Sequence, residues 1–252
     1  MKFTHKLCGV ALLATISTGA LLPVATYAAE DPLVWSNNGK IKFTEDDGDD
    51  VVLPPGGEDV DPKNPITQPP VNPGVGPLKV IAITGLDFDV NKVTPATSNG
   101  WEYVAKPAAI EYQDGTKATS QNFVQFKDTR ADNQPNTHKL TAVASTFKNA
   151  EGAELKSATL NFSNIKLTNS ADPTKVNENA AKPTNSLATD GVTPTEFVNQ
   201  DDIEKGFGQF SLDFGDETTM GDSVKLNIPA SNKLSTSSEY VSTITWTIAD
   251  AR

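Results

Sequence analysis

The sequence predicts an all-β fold, an antiparallel β-sandwich or barrel-like domain with long polar loops. Three observations predict it. Short runs rich in Val, Ile, Leu, Phe and Thr recur between clusters of Gly, Pro, Asn and Asp. Several of these runs alternate apolar and polar residues with a period of two, which places the apolar ones on one side of a strand. No stretch carries a sustained apolar stripe of helical period.

Residues 1–28 have the form of a secretory signal peptide. Lys2, His5 and Lys6 precede an apolar run over 7–22, and Thr26 and Ala28 supply the small residues of a cleavage site after Ala28. Residues 29–77 are expected to form an extended, acidic, Pro/Gly-rich segment. Within it "WSNNGKIKF" puts Ile41 and Phe43 on one face, and the stretch from "TEDDGDD" to residue 77 is too poor in apolar surface to be anything but solvated.

Residues 78–252 are expected to be the β domain. Its strands are read in "LKVIAITGLDF" (78–88) and in "NFVQFKD" (122–128), where Val124 and Phe126 share one face and Phe123 and Gln125 the other. "HKLTAVASTF" (138–147) aligns Leu140, Ala142 and Ala144, and "ATLNFSNIKL" (158–167) aligns Leu160 and Phe162. "GQFSLDFG" (208–215), "SVKLNIPA" (223–230) and "YVSTITWTIADAR" (240–252) complete the set. In the last, Tyr240, Ser242, Ile244, Trp246 and Ile248 fall on one side. Residues 169–202, rich in Asn, Thr, Ala and Pro, read as a long loop or a poorly packed hairpin.

Composition excludes several functions. The only cysteine, Cys8, lies in the leader, so thiolate catalysis and thiolate metal sites are ruled out for the exported protein. Export without disulfides points to a bacterial exterior. Loss of residues 1–28 removes Lys2 and Lys6 and no acid, leaving 19 basic against 32 acidic residues, a net charge of −13. So acidic a chain is not expected to bind nucleic acid or anionic lipid. No later stretch has the ~18 apolar residues of a membrane helix, so no membrane span is expected.

Catalytic chemistry finds little support. His138 is the only histidine outside the leader; Asp128 and Asp132 are near it in sequence, but nothing marks a nucleophile. It reads as a strand histidine at a surface or turn. The acids are most dense at 45–61, in the solvated segment, where a tuned carboxylate pair cannot be held. "EDDGDD" lacks the spacing of a calcium loop and reads as a solvated acidic run. Arg130 of "KDTRAD" is expected to make a surface pair of little energetic weight. No catalytic residue, metal site or cofactor is expected. The aromatic residues Trp35, Trp101, Trp246, Tyr103, Tyr112 and Tyr240 are the remaining resource. Trp246 and Ile248, about 7 Å apart on one face, suit either a core wedge or half of an aromatic–aliphatic groove.

"SSEYVSTITWTIADAR" resembles the closing motif of the WxL domain of Gram-positive cell surfaces, with Tyr240 and Trp246 matching and Ile248 where Leu is usual. "SNNGKIKF", "VDPKNP" and "GVGPLKVIAITGLDF" are similar to the start of that family's pattern. "NFVQFKDTR" and the stretch from His138 are similar to its middle, where Leu140 fits and His138 replaces a Trp. The resemblance spans most of residues 36–252. It implies a non-enzymatic protein that attaches non-covalently to the cell wall by binding peptidoglycan, and it makes Trp246, Ile248, Tyr240, His138 and Leu140 the motif or wall-binding residues. It also implies other WxL-type surface proteins and a partner surface protein as associates. The alternatives are a surface-complex subunit that docks on another exported protein and a secreted glycan hydrolase.

Overall fold

A computed structural model describes residues 39–43, 50–54 and 63–252. The expected signal peptide and Trp35 lie outside the described residues. Residues 39–43 belong to a separate unit, Met1–Phe43; they form no regular element and their side chains are exposed. All the strands belong to the second unit, Thr44–Arg252.

Its strands, in chain order, begin with β1 (Ile66–Gln68), β2 (Leu78–Ile83), β3 (Trp101–Val104), β4 (Ala108–Tyr112), β5 (Lys117–Ser120) and β6 (Asn122–Asp128). Next come β7 (His138–Ala144), β8 (Phe147–Lys148), β9 (Glu154–Leu155), β10 (Thr159–Phe162) and β11 (Ile165–Thr168). After a single 3-10 turn, Pro173–Lys175, follow β12 (Asn185–Ala188), β13 (Thr195–Gln200), β14 (Gly208–Phe214), β15 (Val224–Ile228) and β16 (Ile244–Asp250). Among the described residues every strand pairing is antiparallel and no α-helix occurs, so the fold is all-β as expected.

Three sheets enclose the main core: β12-β10-β15-β3, β11-β14-β6-β2 and β13-β7-β16. Their inward residues are those the period-two pattern selects: Leu160 and Phe162 from the first, Val124 and Phe126 from the second, Leu140 and Ala142 from the third. Aromatic rings knit the three together. Phe162 meets Phe214 at 4.7 Å and Phe197 at 5.1 Å, and Phe197 meets Trp246 at 4.7 Å.

The second core lies on the opposite face of β6, where Phe123 packs with Ile81, Ile110, Ile66 and Val52. Covered on both faces, β6 is buried along its whole length. A bulge between Val80 and Ala82 lets the adjacent residues Ile81 and Ala82 both serve this second core.

Two expectations are corrected here. Parts of the Pro/Gly-rich segment are not solvated: Val52 and Ile66 are core residues, and the Gln125 side-chain amide pairs with Leu53 like a strand neighbour, accepting from Leu53 N at 2.9 Å and donating to Leu53 O at 2.8 Å. Asp50 is no member of a solvated run. Its carboxylate bridges Lys127 at 2.6 Å and Lys79 at 2.7 Å with only 8% of its side chain exposed. Burial would raise this carboxyl, but the two lysines outweigh it and hold it below the usual range. The second correction concerns 169–202. Strands β12 and β13 lie there, and Leu187, Phe197 and Val198 are fully or nearly fully buried. Each of these strands has only one or two large apolar residues among polar ones, too few for the alternation to stand out.

Candidate functional site

Strands β2 and β16 are edges of different sheets: among the described residues β2 pairs only with β6 and β16 only with β7. They run close together without sharing a ladder. Registers orient this seam. Leu78 is opposite Asp128 and Asp250 is opposite His138, while at the other end Ile83 is opposite Val124 and Ile244 is opposite Ala144. The start of β2 therefore lies with the end of β16.

That end of the seam is locked by charge. Arg130 grips Asp128 with two hydrogen bonds of 2.8 and 2.6 Å, reaches Asp250 on β16 at 2.8 Å and donates to Thr137 O at 3.0 Å. Asn136 donates to Asp128 at 2.9 Å, and His138 Nδ1 lies 3.1 Å from the same carboxylate. The carboxylate can only accept, so Nδ1 is the donor. Burial would push the Asp128 carboxyl up, yet hydrogen bonds from Arg130, His138 and Asn136 and the Arg130 charge hold it far below its ordinary value. Two expectations fall here. Arg130 is a buried, bidentate partner and not a surface one, because the following loop folds back to place Thr137 O on it and Asp250 reaches it from the far end of the chain. His138 is not at a surface: it is 1% exposed, edge-on to Phe126 with ring centroids 5.5 Å apart.

The other end of the seam is open. Between the segment that follows Ile83 and the start of β16 lies a cleft of about 890 Å³. Thr84 fixes one wall, since its N–H and hydroxyl donate to Phe123 O at 3.1 and 3.2 Å and its hydroxyl accepts from Phe123 N at 2.9 Å. The opposite wall is the approach to β16. There Tyr240 accepts a bond from Ser235 N at 3.0 Å, and Val241 exchanges two backbone bonds of 3.0 Å with Lys148. The floor is aromatic and aliphatic, with Phe88, Phe147, Tyr103, Leu234 and Trp246. Burial pushes the Tyr103 phenol up. Around the mouth stand Val90, 96% exposed, and the exposed Val93 and Val241, with Asp87, Asp89 and Glu239 among them.

The five motif residues divide between the two ends and the core. Leu140 is fully buried, and Ile248, its cross-strand partner, is half-buried against the main core. Trp246 sits opposite Ala142, whose small side chain leaves the indole room to reach Phe197 and Phe214. It is half-buried and also lines the cleft, so it is at once core wedge and groove wall. Tyr240 lines the same cleft. The exposed valines of the mouth were not singled out by sequence reasoning. A lone Val in a loop carries no periodic signal, and only its position beside the cleft distinguishes it. Among the described residues no three or more His, Cys, Asp or Glu side chains gather as metal ligands, and no helix is long and apolar enough to cross a membrane.

Comparison with known proteins adds a family. The family model described as WxL domain surface cell wall-binding matches residues 34–251. No match was found among curated proteins or among solved structures.

Proposed function

Because the chain belongs to the WxL family of surface cell wall-binding domains and so works at the cell surface, we propose that it is a non-enzymatic protein holding to peptidoglycan without a covalent link. The observation that carries this reading is the family match, which spans 34–251 and takes in both the closing strand and its motif. The chemistry of the folded chain supports the non-enzymatic part. His138, the only histidine among the described residues, is buried between Phe126 and Phe210 and committed to Asp128, out of reach of a wall polymer.

The experiment is co-sedimentation of the purified secreted protein with peptidoglycan freed of protein and attached polymers, with release of soluble sugar and stem-peptide fragments measured in parallel. Binding without turnover is the expected result. Turnover would overthrow the non-enzymatic reading, and absence of binding would overthrow direct wall contact.

A second reading is favoured by the cleft itself. Its apolar floor and the exposed Val90, Val93 and Val241, with acids among them, form the kind of apolar surface with a polar rim that marks protein contact. In this reading the wall is met elsewhere on the domain, and the cleft docks an exported protein into a surface complex.

A further inference from the structure

The cleft is more than an apolar depression: it is bordered by two strands that end their sheets among the described residues, β2, whose Ile81 and Val80 carbonyls accept from Asn72 at 2.7 and 2.9 Å, and β16, which is the more open edge. Among the described residues β16 has a ladder partner on one side only, and so has β2. At the locked end the seam is closed by Arg130 between Asp128 and Asp250, whereas at the Ile83–Ile244 end the two edges part around the cavity. Free edges offer a row of backbone donors and acceptors, and an extended segment laid along one satisfies them. What fits is therefore a strand with one apolar face to meet Trp246, Phe88 and Leu234.

The charge around the mouth narrows the choice. Asp87 and Asp89 share a single cation, Lys106, at 3.5 and 2.9 Å, and Glu239 lines the same cleft. The mouth therefore carries excess negative charge, which favours a strand bearing lysines.

One segment of this chain has that chemistry. In residues 39–43, "GKIKF", Ile41 and Phe43 fall on one face and Lys40 and Lys42 on the other. Both Ile41 and Phe43 are 79% exposed. The family match begins at residue 34, yet the compact unit that contains the cleft begins at Thr44. The segment is thus part of the family pattern while its large apolar side chains lie bare.

Building on the docking reading, we infer that the open end of the β2–β16 seam is a strand-acceptor site, and that its occupant is the 39–43 segment of a second copy of this chain. Donor and acceptor are different surfaces, so the contact is head-to-tail and each joined copy still offers one of each. Copies held on a wall meet at high effective concentration, which lets a five-residue strand of about 17 Å suffice.

The test is sedimentation velocity of the secreted chain from nanomolar to high micromolar concentration. Mass should rise with concentration, and the rise should weaken with added salt. Ile41→Asp/Phe43→Asp, at exposed positions, should keep the thermal transition and remain monomeric. Val241→Asp, in the exposed mouth, should do the same. Mixed together, these two variants should form a one-to-one complex and nothing larger, because one retains only the acceptor and the other only the donor. A synthetic peptide of residues 36–45 should dissolve the wild-type assemblies. A chain that stays monomeric throughout, or assemblies that survive Ile41→Asp/Phe43→Asp, would overturn the assignment of the occupant. If a different exported protein binds and Val241→Asp abolishes that binding, the docking reading stands and the second copy is wrong. If Val241→Asp alters neither self-association nor any such binding, the docking reading itself fails.

Discussion

Trp246 holds two positions that pull in different directions. Its indole touches Phe197 and Phe214, which tie it to the core, and its remaining surface faces the cleft. Truncation removes much of a large aromatic from a half-buried site, so Trp246→Ala should cost about 3 kcal/mol, the low end of the range for buried aromatics; urea unfolding measures it. Val90→Ser, at a position 96% exposed, should change stability by less than about 0.5 kcal/mol in the same assay. Asp128 makes a different kind of contribution. Its carboxyl titrates far lower in the folded chain than in the unfolded one, where the reference value is about 4. Below that reference the unfolded chain binds the proton and the folded chain does not. The stability it confers is therefore complete above about pH 5 and is lost as pH falls toward the folded value. Asp128→Asn should flatten the acid limb of stability against pH, and it should lower stability at pH 7 because Arg130 loses its buried partner, at a cost of about 3–5 kcal/mol.

At the scale of elements, the strap over β6 and the hairpin turn before β3 show how single contacts fix whole segments. Residues 50–54 are held by the Gln125 amide, by Asp50 between two lysines and by Gln209 Nε2 donating to Val51 O at 2.9 Å. Gln125→Leu should remove two bonds worth about 1 kcal/mol each. Amide exchange at 50–54 should then accelerate while strands of the main core keep their protection; equal acceleration everywhere would mean that the strap is integral to the global transition. Gly100 precedes β3 at φ +88°, and a Cβ there would lie 2.0 Å from Ile228 O. Since that oxygen belongs to the backbone of β15, neither partner can turn aside. Gly100→Ala should destabilise by about 1–3 kcal/mol, read as a lowered denaturation midpoint.

The whole molecule approaches its wall with a marked excess of acids: −11 for the full chain, and −13 if residues 1–28 are removed with Lys2 and Lys6, leaving 19 basic against 32 acidic residues. Wall polymers are commonly anionic, and like charges repel over about 8–10 Å at ordinary salt. Wall binding must then rest on short-range contacts, and added salt should leave it unchanged or strengthen it. Mild acid should help less than composition alone suggests. Asp190 and Asp216, held at about 2 by hydrogen bonds from nearby Thr residues, remain charged at pH 5, as do Asp50 and Asp128. Co-sedimentation with isolated walls over both ranges checks this; a steep loss of binding with salt would mean that opposite charges hold the complex.

The sequence by itself determined the class of fold, the strands in which large apolar residues alternate, such as β7, β15 and β16, and the family to which the closing motif belongs. These are local properties: a period of two or a short ordered motif is written in neighbouring residues. It also narrowed Trp246 to core wedge or groove wall, and its position between Phe197 and the cleft joins the two. Only the tertiary structure decided that Asp50, Arg130 and His138 are buried. Arg130 and His138 have Asp128 close by in sequence, but the residues that complete the burial of the three, Lys127 for Asp50, Asp250 for Arg130 and Phe210 for His138, lie far along the chain from them. The cleft belongs to the same class of fact. It exists because β16, tied to the end of β6 by Arg130, parts from the edge strand β2 at its other end, and the exposed valines that line it acquire meaning only from that geometry.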